Sequence, residues 1–259
     1  MQQERTHVAL VTGGASGLGR AAAQALAARG DKVAVADLHR DGALACAQEI
    51  VAAGGQAVAL AIDVTDDASV AQAFREAEAA LGPIDVLVNS AGIMGVAPLL
   101  DYPIADWERI LAVNVTGTFR CAQRAAAGMA ARGYGRIVNL ASISGVRAGI
   151  GRAAYGTSKA AVIGLTRQLA MELGPLGITA NAVAPGPVVT AMTADAYTPE
   201  TRAAFEAMLP VGRLGTAQEI AEAIVFLASP GAGYINGHIL AVDGGYLAAG
   251  VSRTGSVSR

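Results

Sequence analysis

Residues 7–19 read HVALVTGGASGLG, and the reading of that stretch decides the fold. An apolar, β-branched run ended by glycines predicts a strand buried on both faces. The GLGRAAAQALAARG that follows (17–30) has helical spacing and ends on Gly30, which suits a C-cap. Glycines at 13, 17 and 19 permit a tight turn and a close backbone approach to a pyrophosphate. The N–H groups at the start of the following helix attract such an anion. A glycine-rich turn alone is weak evidence; its place between strand and helix gives it meaning.

The same rhythm runs on through KVAVADL (32–38), AVALAID (57–63), DVLVNSAG (85–92), RIVNLAS (136–142), ITANAVAPG (178–186) and HILAVDGG (238–245). Ala-rich helical stretches separate these runs, the longest at 104–131 and 153–173. Strands apolar on both faces, alternating with helices, imply an α/β fold: a doubly wound, Rossmann-type parallel sheet with helices on both faces. No linker or repeat divides the chain, so residues 1–259 read as one domain. Residues 185–209 form a long excursion suited to a lid over a site. The small, polar tail 250–259 has no core to join and reads as flexible.

Composition excludes several classes. Charged residues are 15% of the chain, against about 25% in an average soluble protein. A surface so poor in charge fits either subunit contacts or simple alanine enrichment. The formal net charge of −2 leaves no footprint for nucleic acid. The charged start MQQERTH and the short VALV after it make neither a signal peptide nor a membrane span. Cys46 and Cys121 read as buried small hydrophobes in a reducing compartment. His7, His39 and His238 are too scattered for a metal site, so none is expected. The protein reads as soluble and cytoplasmic.

Asp37 ends the second strand, 18 residues after Gly19. A carboxylate there accepts hydrogen bonds from a ribose diol and repels a 2′-phosphate, which favours NAD over NADP. His39 and Arg40 follow closely; for Arg40 a solvated helix start is the preferred reading.

Residues 155–159, YGTSK, contain one of only two lysines among 19 basic residues. Tyr155 and Lys159 stand at i and i+4, on one face of a helix. A phenol with a pKa near 10 is a poor base at neutral pH. A neighbouring ammonium, together with the positive ring of NAD⁺, favours the phenolate. Ser142 follows an apolar strand, where the carboxyl ends of parallel strands open onto a site, so its hydroxyl is placed to hold a substrate oxygen.

With TGGASGLG (12–19), NSAG (89–92), Asn114, Ser142 and YGTSK in this order, the chain resembles the short-chain dehydrogenase/reductase family from about residue 7 to 246. The resemblance implies nicotinamide dinucleotide binding by Gly13, Ser16, Gly17, Leu18 and Gly19. It implies adenine contacts at Asp63 and Val64, and cofactor contacts at Asn89, Ala91 and Gly92. Pro185, Gly186, Val188 and Thr190 match the stretch that holds the nicotinamide carboxamide. Ser16 stands where NADP-using members often carry a basic residue, in agreement with Asp37. Ser90 replaces an asparagine of the family pattern, and Ala217-Gln218-Glu219 replaces a Pro-Glu-Glu. By the same resemblance Tyr155 exchanges the proton and Lys159 holds the nicotinamide ribose. Ser142 holds the reacting oxygen and Asn114 positions a water. The family also implies a homotetramer built by pairing the two long helices.

The expected partner is a small secondary alcohol, polyol or sugar and its ketone. The expected wall residues are Ile93, Met94, Ser144, Val146, Pro187 and Met192, with Arg147 or Arg152 adding charge. A serine hydrolase fails on motif, since neither ASISG nor GGASG is G-x-S-x-G. A non-catalytic nucleotide-binding regulator would tolerate loss of tyrosine or lysine, and all four catalytic positions are filled. An NADP-linked 3-oxoacyl thioester reductase is the alternative within the enzyme reading.

Overall fold

In the computed structural model, residues 6–190 and 197–249 are described. Their strands are β1 (Val8–Thr12), β2 (Lys32–Asp37), β3 (Gln56–Ala61), β4 (Val86–Asn89), β5 (Gly135–Leu140), β6 (Ile178–Pro185) and β7 (Ile239–Val242). They form one parallel sheet in the order β3-β2-β1-β4-β5-β6-β7. The winding reverses between β1 and β4, where Thr12 pairs with Ala36 on one side and Asn89 on the other. At such a reversal the loops leave in opposite directions and open a crevice at the carboxyl ends of the strands. The strands are shorter than their apolar runs: β4 stops at Asn89 and β7 at Val242. The glycines beyond those points form loops instead of ladder.

Helices α1 (Gly17–Ala28), α2 (Arg40–Ala52) and α8 (Ala217–Leu227) cover one face, through Ala22, Leu26, Ile50, Ile220 and Ile224. Helices α3 (Asp67–Leu81), α5 (Thr118–Arg132) and α6 (Ala153–Leu173) meet the other, where Phe74, Cys121 and Met129 are buried. Neither layer alone could cover a sheet apolar on both faces. α8 opens with a capping box between Thr216 and Glu219, which satisfies two amides at its start. Within the lid region lies α7 (Pro199–Met208), while residues 191–196 and the tail 250–259 fall outside the described residues. Among the described residues no helix is long and apolar enough to cross a membrane.

The continuous helix predicted over 104–131 is interrupted. Helix α4 (Ile104–Leu111) passes into a π-helical turn, Ala112–Gly117, before α5 begins. Gly117 lets this turn press onto the loop after β3, since a Cβ there would lie 2.6 Å from Val64 Cγ2. A wide turn of this kind inside an α-helix often marks a functional site, and here it carries Asn114.

A buried polar ladder ties α6 to the sheet. Asn89 Nδ2 donates to Asn139 Oδ1 (2.9 Å), Asn139 Nδ2 to Thr166 Oγ1 (2.9 Å), and Thr166 Oγ1 to Val162 O (2.8 Å). Truncating the middle rung strands the groups on either side in a dry interior. Asn139→Ala should therefore lower the unfolding free energy by about 1–3 kcal/mol, read from urea denaturation.

Candidate active site

The crevice at the carboxyl ends of the strands is a cavity of about 610 Å³. Its floor is the turn between β1 and α1. Gly13 has φ +68° and Gly17 φ +53°, conformations that side chains disfavour. A Cβ on Gly13 would lie 2.8 Å from Ala91 Cα, so the ends of β1 and β4 meet there. Thr12 Oγ1 accepts from both Ser90 N and Ala91 N (3.2 Å each) and fastens that meeting. No side chain caps α1 at Ser16, which leaves its first N–H groups for an anion.

Asp37, expected to face a ribose, has partners of its own in the protein. Its Oδ2 accepts from Ala15 N (3.0 Å) and its Oδ1 from His39 N (2.9 Å), so the carboxylate braces the glycine turn. Asp63 Oδ1 accepts from Thr65 N (2.8 Å) and Thr65 Oγ1 (2.7 Å), which shapes its own loop beside the cleft.

At the other end, α6 carries Tyr155 and Lys159. Lys159 is buried and its Nζ donates to Leu140 O (2.7 Å), at the end of β5. Burial pulls the ammonium down to about 8. The Ser142 hydroxyl hydrogen-bonds the Tyr155 phenol and accepts from Ser144 N (3.1 Å). Burial raises the pKa of the phenol; the Ser142 hydrogen bond and then the charge of Arg152 oppose that rise. The ammonium of Lys159, expected to press on the phenol, lies 5.7 Å from the ring centroid. Within the protein's own groups it is Arg152 that supplies the opposing charge.

Asn114 stands behind this pair, 1% exposed. Its Oδ1 accepts from Ile93 N (2.8 Å), and its Nδ2 donates to Ile93 O (2.9 Å) and Ser158 Oγ (2.9 Å). Ser158 Oγ in turn donates to Tyr155 O (2.7 Å). Asn114 thus locks the loop after β4 to the catalytic helix. Gly92 occupies the gap, since a Cβ there would lie 3.3 Å from Asn114 Oδ1 and 3.5 Å from Lys159 Nζ.

Nearly all the residues picked out in the sequence converge. Gly13, Ser16, Gly17, Leu18, Gly19, Asp37, Asp63, Val64, Ala91, Gly92, Pro185, Gly186, Val188 and Thr190 line the cleft with Ser142, Tyr155 and Lys159. Of the wall residues, Ile93, Met94, Ser144 and Pro187 line it too. Val146 is 54% exposed and outside that lining, Asn89 and Asn114 lie behind it, and Met192 is outside the described residues. Tyr197, Phe205 and Tyr246 also face the cleft and were not foreseen. Tyrosine is rare in this chain, with six in all, and three of them (Tyr155, Tyr197, Tyr246) meet here. That rarity was the available signal.

The cleft fits a nicotinamide dinucleotide. The glycine turn is bare where a side chain would fill it, α1 points an uncapped start at it, and Asp37 ends β2 on the cleft lining, where a ribose diol would find an acceptor. Such a cofactor supplies the acceptor or donor for a hydride. Tyr155 and Ser142, hydroxyl to hydroxyl, can hold one oxygen between them and move a proton at Tyr155 Oη.

Comparison with known proteins agrees with this geometry. The family model described as enoyl-(acyl carrier protein) reductase matches residues 13–247. The chain is 44% identical to cis-4-hydroxycyclohexanecarboxylate dehydrogenase of Sinomonas cyclohexanicum, across 93% of this chain and 96% of that protein. It is 39% identical to a 3-oxoacyl-[acyl-carrier-protein] reductase of Aquifex aeolicus, across 92% and 96%. Among solved structures, a gluconate 5-dehydrogenase of Burkholderia cenocepacia in complex with NADP and tartrate superposes with a TM-score of 0.91. That match has 35% identity and covers 94% of this chain and 96% of that one.

Two outcomes follow from the Tyr–Lys geometry. Arginine in place of Lys159 keeps the charge but brings a broad fork into a gap bounded by Gly92 and Leu140. Lys159→Arg should lose at least about tenfold in kcat/KM, and Tyr155→Phe more, with circular dichroism unchanged. The second concerns stability. Because the folded pKa of Lys159 is below its ordinary 10.5, the unfolded chain binds more protons between about pH 8 and 10.5, and stability from this group rises with pH there. Urea titrations of the wild type and Lys159→Met should therefore diverge in the wild type's favour between pH 7 and pH 10, by on the order of 2 kcal/mol.

Proposed function

The chain belongs to the short-chain dehydrogenase/reductase family, and from that premise we propose an NAD-dependent dehydrogenase that oxidises a secondary alcohol reversibly to its ketone. The observation that carries the reading is the Ser142–Tyr155 hydroxyl pair beside Lys159, at the end of a cleft shaped for a dinucleotide. In the oxidative direction Ser142 donates to the carbinol oxygen and Tyr155 Oη takes its proton. Lys159, fixed by Leu140 O, would hold the nicotinamide ribose and supply positive charge beside the phenol. Asn114 keeps Ile93 and the start of α6 in register with these atoms and would position a water that connects the site to solvent.

Preference for NAD rests on Asp37 and on Ser16, where a basic residue would favour a 2′-phosphate. The alternative, an NADP-linked 3-oxoacyl thioester reductase, is favoured by the Aquifex relative and by the NADP in the Burkholderia structure. We read the assembly as a cytoplasmic homotetramer. The outer side of the α4–α6 layer carries exposed Ile104, Phe119 and Met171, apolar surface of the kind that subunit contacts cover.

Measured on one active alcohol, kcat/KM with NAD⁺ should exceed that with NADP⁺ at least about tenfold, as one repelled charge pair allows. Equal values or better NADP⁺ turnover would overturn the preference. Asp37→Ala should narrow the ratio and weaken both cofactors, because it also frees Ala15 N. Light scattering at micromolar concentration should give four times the chain mass.

A further inference from the structure

Arg152 stands at the N-cap of α6, three residues before Tyr155. A cation is unfavourable at a helix N-terminus, where the backbone already presents positive charge. Helix stability therefore does not account for this residue. Its Nη1 donates to Ser144 Oγ (3.4 Å), and its charge reaches the hydroxyls of both Tyr197 and Tyr155. Tyr197 is buried beneath the lid and packs on Phe205, with ring centroids 5.3 Å apart. The guanidinium is thus held between the lid and Ser144, next to the reacting hydroxyls.

Among the described residues it has no counter-charge: no carboxylate pairs with Arg152 or with Arg147, whose guanidinium lies 5.6 Å over the Tyr246 ring on the same cleft. The two acids on the lining, Asp37 and Asp63, stand by the β2 and β3 ends, where the adenosine half would lie. A half-buried guanidinium without an acid is unfavourable unless something completes it. Ser144 takes part of its fork, and the remaining donors suit a planar, two-oxygen acceptor.

We propose that Arg152 is a specificity-determining residue that binds a carboxylate of the substrate, so that the alcohol oxidised is a hydroxycarboxylate. This rests on the dehydrogenase reading above. The carbinol lies between Ser142 and Tyr155, and the carboxylate faces Arg152 across Ser144. Arg147 at the mouth adds attraction for the incoming anion.

The test is a panel of hydroxycarboxylates, each beside its methyl ester: 3-hydroxybutanoate, 4-hydroxypentanoate, and 3- and 4-hydroxycyclohexanecarboxylate. Neutral polyols and phosphate esters of matching alcohols are run in parallel, with NAD⁺ and with NADP⁺. The expected result is a kcat/KM for at least one acid that exceeds its ester by about tenfold or more, as loss of one charged hydrogen-bonding partner implies. Arg152→Gln should collapse that acid-to-ester ratio by about tenfold, and Arg152→Lys should restore part of it, having charge without the fork. The ratio cancels any effect of the variant on the Tyr155 phenol, since acid and ester share that step. A ratio unchanged in Arg152→Gln, or esters, polyols or phosphate esters preferred by the wild type, would overturn the proposal while leaving the dehydrogenase reading intact. If no alcohol reduces either cofactor although NADH binds by fluorescence, the dehydrogenase reading fails and this inference with it.

Discussion

The Thr12 hydroxyl accepts the amides of Ser90 and Ala91 just where the sheet reverses its winding. Everything that forms the cleft hangs from this seam. On one side of it Gly13 turns the chain into α1, close enough to Ala91 that no side chain fits between. On the other, the loop after β4 runs on to Gly92 and Ile93, where Asn114 takes hold of it. From Asn114 the hydrogen bonds pass through Ser158 to the backbone of Tyr155. The dinucleotide cradle and the proton-transfer end are therefore parts of one hydrogen-bonded train, seated on a sheet that is buried on both sides.

The cleft is polarised along its length. Carboxylates stand near the ends of β2 and β3, and the cationic groups Lys159, Arg152 and Arg147 gather near β5 and α6. Lys159 is held where burial works against its charge, with Leu140 O as its hydrogen-bond partner. Arg152 is placed against the field of its own helix. Both positions cost folding free energy, and both put charge beside the Tyr155 phenol. A stability optimum and a catalytic optimum are different sequences at these two positions.

Much of this was legible in the sequence because it depends on local pattern. The apolar runs marked all seven strands of the described sheet, and glycines 13, 17 and 19 marked the turn at its centre. The spacing of Tyr155 and Lys159 put both on one face of α6. What escaped depends on contacts distant in sequence. The π turn at Ala112–Gly117 is invisible to helical periodicity, because it arises where Gly117 meets Val64, far back along the chain. The bracing of Ala15 by Asp37 required knowing that the two strand ends curl together. Val146 is among the expected wall residues, yet the short helical turn after Ser142 leaves it 54% exposed and off the cleft. Tyr197 and Arg152 are brought together only by the fold of the lid.

The π turn also sets a phase. Successive residues of an α-helix rotate by about 100°, so one extra residue taken up in a wide turn re-aims everything after it. Ile110 before the turn, Asn114 within it and Cys121 and Ala122 after it are all buried, so one inward stripe carries through the turn. The segment thus joins two helical halves, with the apolar stripe of α5 on the sheet and one buried amide clamping the loop after β4. Length is consequently less free here than in the surface loops. Removal of a single residue from 112–117 would rotate α5 against α4 by about 100°, so the stripe on the sheet and the asparagine on the loop that it clamps could no longer both be kept.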